Sequence, residues 1–172
     1  MKPQVSIIMG SMSDMPVMEE AARFLDQMEI PFEMNALSAH RTPDKVAEYA
    51  KSASQRGVKV IIAGAGGAAH LPGVVAAYAQ IPVIGVPVKS SQSLSGLDSI
   101  LSILQMPSGI PVATMALDGA RNAAIFAARI LSLSDKDLAL KMRAFHETLG
   151  RKVEEANEKI KDIQYRFKIQ DH

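Results

Sequence analysis

Apolar residues along the chain alternate between short unbroken runs and longer stretches with a spacing of three and four. The runs VSIIM (5–9), PFEMNA (31–36), VKVIIAG (58–64), IPVIGVPV (81–88) and IPVATMA (110–116) read as five strands. Helical spacing fills the intervals. The first helix begins at a cap on Ser13 or Asp14, carries Pro16 in its first turn, and sets Val17, Ala21, Phe24, Leu25 and Met28 on one face. The second opens with Thr42 as N-cap and Pro43 at the first helical position, where the missing N–H costs nothing, and Gly57 ends it. Further helices are expected over 71–79, 97–105 and 121–131.

Strand and helix in fivefold alternation predict an α/β fold, a three-layer sandwich with a parallel sheet covered on both faces. Right-handed crossovers leave few topologies, and the doubly wound order 2-1-3-4-5 fits best. Residues 1–133 form this catalytic domain. Residues 134–172 read as a helical extension of the same domain, opened by Ser134 and Asp137 in a capping-box-like pattern. Leu138, Met142, Phe145, Leu149, Val153, Ala156, Ile160, Ile163 and Phe167 continue it at helical steps. A helix of about 30 residues would be roughly 45 Å long, more than the width of such a domain. Either part of the stripe packs on another subunit, or the helix bends around its own core.

Composition narrows the classes. The 172 residues suit one domain, and a net charge of +1 gives no reason to expect nucleic acid or an anionic membrane as partner. No cysteine is present, which excludes disulfides, thiolate catalysis and Cys-type zinc sites. No HExxH, P-loop or closely spaced carboxylate pair appears, so no metal is expected. The opening MKPQVSIIMG is too short in its apolar run for a signal peptide, and VIIAGAGGAAHLPGVVAAYA is broken by Gly, His and Pro. A cytoplasmic, soluble protein is the expectation.

Loops that follow parallel strands emerge at one sheet edge, and ligands bind where the strand order reverses. Three candidates meet there. In GSMSD (10–14), Gly10 permits a tight turn, Ser11 and Ser13 offer hydroxyls, and a helix start offers free N–H groups to a phosphate; Asp14 suits sugar hydroxyls. An ordinary strand-to-helix turn is the equal alternative. In SAHRTP (38–43), Ser38, Arg41 and the helix start can grip an anion, since guanidinium matches phosphate oxygens as a planar fork. His40 is then held beside it and suits a general acid/base; a surface loop with two solvated polar residues is the alternative.

The third loop, GAGGAAHLPG (64–73), carries Gly64, Gly66 and Ala69 at G-x-G-x-x-A spacing. It follows the third strand rather than the first, and no acid ends the next strand to bind a ribose, so a dinucleotide fingerprint is set aside. It reads instead as a loop whose backbone approaches a flat ligand, through Gly66, Gly67 and Ala68. His70 is a second site imidazole or simply a helix-start residue; His146 and His172 are expected at the surface. The segments SSQSLSG (90–96) and QMPSGIP (105–111) are placed near the same edge, as lids or as contributions to a neighbouring subunit's site.

Together, MGSMSD, SAHRTP, VIIAGAGGAAHLPG, IPVIGVPV, DSILSILQMPSGIPVAT and NAA resemble the N5-carboxyaminoimidazole ribonucleotide mutase family, the catalytic-subunit type of phosphoribosylaminoimidazole carboxylase, over residues 5–131. The full AGGAAHLPG is similar to the bacterial-type class I branch, rather than the animal-type branch that carboxylates aminoimidazole ribonucleotide with carbon dioxide. The resemblance implies a flavodoxin-like fold, a homo-octamer, and a ribonucleotide substrate with transient carbon dioxide. It implies no metal or organic cofactor, and an ATP-dependent synthetase upstream in purine biosynthesis. It implies Ser11, Asp14 and Arg41 as binding residues with Ser38 in support, His40 as general acid/base and His70 as the second pocket histidine. The chain departs from the family at LDGARNAA and in its longer charged tail.

Other functions on the same strand order fit less well. A flavin carrier needs aromatic walls, and the chain has no Trp and three Tyr. A receiver domain needs clustered acids where this chain has Gly10-Ser11 and Gly64-Ala65. A plain nucleotide-binding regulator stays open, because fold alone does not fix function.

Overall fold

A computed structural model describes residues 1–91 and 93–169; the expectation for His172 lies outside them. Strands β1 (Val5–Met9), β2 (Phe32–Ala36), β3 (Val60–Gly66), β4 (Val83–Val88) and β5 (Ala113–Thr114) form one parallel sheet in the order β2-β1-β3-β4-β5. The predicted doubly wound order is therefore the observed one. Every residue of β1 and β4 is buried, as a parallel sheet covered on both faces requires.

Helices α1 (Met15–Gln27), α2 (Pro43–Arg56), α3 (Leu71–Tyr78), α4 (Leu97–Leu104) and α5 (Ala120–Ser132) supply that cover. On one face, Ile8, Ile61 and Ala63 pack with Val46, Ala50 and Ala53 of α2, Leu71 and Val75 of α3, and Ile103 of α4. The buried seam of α1 is Met18, Ala21, Ala22, Phe24 and Leu25, and the Arg121 guanidinium at the start of α5 lies 5.4 Å from the Phe24 ring centre.

Strand β5 is far shorter than the predicted 110–116. The chain turns at Ile110, whose N–H reaches the Pro107 carbonyl with Gly109 at φ +94°, and Pro111 has no N–H to give. Only the pairs Ile84–Ala113 and Gly85–Thr114 remain.

The chain divides into two compact units, Met1–Leu131 and the segment from Ser132 onward. The second is built on α6 (Lys136–Lys161), whose 26 residues span about 39 Å. Its cap differs from the expected Ser134–Asp137 box: Asp135 occupies the N-cap and its carboxylate accepts from the Leu138 N–H at 3.0 Å. The helix ends before Ile163 and Phe167, and Leu149, Val153 and Ile160 on it are exposed.

Candidate active site

The β1–α1 turn differs from the simple cap that its sequence suggests. Residues Met12–Asp14 form a 3₁₀ turn capped by Ser11, which accepts from the Ser13 N–H at 3.3 Å, and Asp14 takes the predicted N-cap position of α1 without a side-chain cap bond. Asp14 is left with 5 % exposure. Burial pushes its carboxyl above the usual range, opposed by bonds to the Ser11 backbone, the Ser13 hydroxyl and the Gly10 backbone. A desolvated carboxylate beside two serines is suited to accept from a ligand's hydroxyl groups.

The β2–α2 loop is closed on itself. Thr42 sits at the N-cap position but makes no side-chain cap bond. Its hydroxyl turns back instead, accepting from the Ser38 N–H at 3.1 Å and donating to the Ser38 carbonyl at 3.1 Å. The Ser38 hydroxyl accepts from the Arg41 N–H at 3.2 Å and from Arg41 Nε at 3.4 Å. Arg41 Nη2 then reaches the Gly10 carbonyl at 3.4 Å, so the guanidinium spans the first and second loops.

The third loop crosses to meet them. His70 is the N-cap residue of α3, and its imidazole meets that of His40. Its Nδ1 lies 2.7 Å from His40 Nε2, with the rings edge to face at a centroid separation of 4.9 Å. Such a bond needs one ring nitrogen to carry hydrogen and the other to offer a lone pair. The facing nitrogens therefore hold a single proton between them. Two glycines give this loop its shape. Gly67 adopts φ +60°, and a side chain on Gly66 would strike the Val88 carbonyl at 2.9 Å.

These three loops line one cavity of about 610 Å³. It brings together every predicted site residue: Ser11, Ser13, Asp14, Ser38, His40, Arg41, Gly66, Gly67, Ala68 and His70. Six further residues line it without a predicted catalytic or binding role: Gly10, Ala39, Ala65 and Leu71 within the three loops, and Ser90 and Asp98 beyond them. Ser90 belongs to the serine-rich stretch expected at this edge. Asp98 gave no signal beyond an acid in a first helical turn, and its carboxylate accepts from the Leu94 and Ser99 N–H groups. Residues 105–111 are absent from this lining; Gly109, Ile110 and Pro111 line a separate cavity with Ile81, Pro82 and Phe126. They precede β5, whereas the site is built from loops that follow strands. Among the described residues, no three His, Asp or Glu side chains are grouped to hold a metal ion, and no helix is long and apolar enough to cross a membrane.

Comparison with known proteins places this geometry among relatives. A sequence profile of AIR carboxylase matches residues 4–152. The chain is 56% identical over 162 residues to the N5-carboxyaminoimidazole ribonucleotide mutase of Pyrococcus horikoshii, covering 94% of this chain and 91% of that one. It is 54% identical over 164 residues to the mutase of the same name from Thermotoga maritima, with 95% of each covered. A crystal structure of Treponema denticola PurE superposes with a TM-score of 0.83 at 36% identity, covering 93% of this chain and 99% of that one.

Proposed function

The chain belongs to the AIR carboxylase family, and on that premise we propose that it converts N5-carboxyaminoimidazole ribonucleotide to 4-carboxyaminoimidazole ribonucleotide in purine biosynthesis. The observation that carries this reading is the convergence of the His40–His70 pair with Arg41, Ser11 and Asp14 in one cavity. A phosphorylated, ribose-bearing heterocycle needs a fixed cation, hydroxyl partners and a proton carrier, and all three are within the lining.

In this mechanism Arg41, Ser11, Ser13 and Ser38 hold the phosphate, and Asp14 accepts from the ribose. Gly66, Gly67 and Ala68 bring bare backbone against the flat ring. The bond from the exocyclic nitrogen to the carboxyl carbon breaks, releasing carbon dioxide inside the cavity, and the nitrogen takes a proton. Ring carbon C4 then attacks that carbon dioxide and loses its own proton. One proton is delivered and one is recovered, so a single alternating imidazole suffices and no co-reactant is needed. His40 takes that role, with His70 as its bonded partner. Keeping carbon dioxide beside C4 is a proximity effect.

The test is turnover of N5-carboxyaminoimidazole ribonucleotide without ATP or added bicarbonate, followed by appearance of the C4 carboxylate. A chain that binds the ribonucleotide and yields no product defeats the reading and leaves a binding protein. We also propose that α6 joins subunits of a homo-oligomer, since Leu149, Val153 and Ile160 stand exposed along it. Removing residues 136–172 is expected to lower the assembly size in light scattering; an unchanged size defeats that proposal.

A further inference from the structure

Outside the cavity, between β1, β2 and α2, a set of polar side chains is assembled around one phenol. The Tyr49 hydroxyl donates to Glu33 Oε1 at 2.6 Å. Having only one hydrogen, it must accept its other two bonds. These come from Asn35 Nδ2 at 2.8 Å and from the Ser6 hydroxyl at 2.6 Å, which is thereby the donor. Arg56 closes the set. Its guanidinium lies 4.2 Å from the Tyr49 ring centre, Nη2 donates to Glu33 Oε1 at 2.9 Å, and Nη1 donates to the Tyr49 carbonyl at 3.1 Å.

The placement of this hub matters more than its strength. Glu33 and Asn35 are the second and fourth residues of β2, the strand that enters the 38–42 loop. Tyr49 lies on α2, the helix that leaves it, six residues and about 9 Å beyond Pro43. The hub therefore clasps both ends of the loop that carries His40 and Arg41. The apolar seam beneath α2 is Val46, Ala50 and Ala53, which are small side chains whose contacts do not define a direction. Hydrogen bonds do, and Ser6 on the wholly buried β1 gives them a fixed anchor. The loop moves with α2 as one piece, because Thr42 N–H and Oγ1 both donate to the Ser38 carbonyl and Val46 N–H donates to the Thr42 carbonyl.

We propose that Tyr49 is a positioning residue for His40 and Arg41, acting through α2 without touching the ligand. The two contacts that cross between loops, His40 to His70 and Arg41 to Gly10, are the ones a small shift of α2 would break. A misplacement of about 1 Å is enough to cost up to a hundredfold in rate. Tyr49→Phe removes the hub oxygen and leaves three polar partners facing a ring edge.

This inference rests on the roles given to His40 and Arg41 above, and the experiment separates the two. Wild type, Tyr49→Phe and Glu33→Gln are compared at a temperature where circular dichroism shows each folded. The readouts are kcat, product affinity and the ring-nitrogen NMR signals of His40 and His70. Tyr49→Phe is expected to lower kcat about tenfold and to shift the imidazole signals. Glu33→Gln keeps an oxygen acceptor for the phenol and is expected to stay within about twofold of wild type. A purely structural role would lower the melting temperature and leave kcat and the imidazole signals unchanged, and that result overturns the proposal. An inactive wild type would defeat the functional reading instead; unmoved imidazole signals in Tyr49→Phe would then overturn the positioning. Should Tyr49→Phe fail to fold, Asn35→Ala removes one donor to the same oxygen, and a kcat equal to wild type overturns the proposal.

Discussion

The two loops that carry the histidines reach the same point by opposite means. Loop 38–42 is held by its side chains: Ser38 and Thr42 spend their hydroxyls on its backbone, and Arg41 ties it to the neighbouring turn. Loop 66–70 has almost no side chains to spend. It is shaped by what is missing at Gly66 and Gly67, and anchored by Ala69 at 0% and Leu71 at 2% exposure. The first loop presents a guanidinium and an imidazole on a mount tied by side-chain hydrogen bonds. The second supplies approach, because a backbone without Cβ atoms can lie against a ring. The proposed reaction, in which a phosphate is gripped and a flat heterocycle faced, is suited by this division.

Substitutions can break the comparison in order of expected effect. The largest is His40→Asn, which keeps similar size and an amide donor but cannot take up or release a proton at neutral pH. Turnover is expected to fall by about two to four powers of ten, the usual worth of a positioned acid/base. Product binding, measured by calorimetry, should change far less, because the phosphate and ribose partners remain. A variant that binds normally and keeps most of its kcat would move the proton chemistry to His70.

Arg41→Ala comes next and tests the gripping role. Losing a charge-assisted bond should cost about 1.5–3 kcal/mol of ribonucleotide affinity. The corresponding nucleoside, which lacks phosphate, should lose little. Equal proportional losses for both ligands would show that Arg41 does not hold the phosphate.

The smallest effect sharpens the account of the second loop. At Gly67 nothing lies within 4 Å of an added Cβ, so Gly67→Ala meets no clash and probes backbone conformation alone. At φ +60° an alanine is expected to cost about 1–2 kcal/mol in urea denaturation. No change in the denaturation midpoint would mean that the left-handed turn relaxes freely, and the loop would lose its claim to a built shape.

The same contrast explains what was legible in the sequence. Strands β1, β3 and β4 stand out because burial on both faces leaves unbroken apolar runs, and those runs fix the edge where the site forms. The loop motifs then follow from position: Gly10 and Ser11 come straight after β1, and the loops with His40 and His70 follow β2 and β3 at the same edge. Hydrogen bonding is less visible. Asp14 takes the expected N-cap position of α1, yet the cap bond in this turn is made by Ser11, to the 3₁₀ turn before the helix. Thr42 has the right identity for a cap and spends its hydroxyl elsewhere. The His40–His70 bond joins positions 30 apart, and no local pattern announces it. Strand β5 is shorter than expected because periodicity sees its β-branched residues but not the turn at Pro107–Ile110 that delays its start.

The phenol at the centre of the hub also sets an alkaline limit. Burial, then the bond to the Glu33 carboxylate, push Tyr49 from its ordinary 10.0 up to about 12. In the unfolded chain the phenol ionises near its ordinary value, while in the folded chain it keeps its proton for longer. Between those two values the folded state binds a proton that the unfolded state has already released. The contribution is therefore complete below pH 10 and is lost as pH rises through about 12. On the acid side the phenol keeps its proton in folded and unfolded chain alike, so its own contribution does not change there. Chemical denaturation between pH 10 and about 12 should therefore show the folded state losing stability through this one phenol.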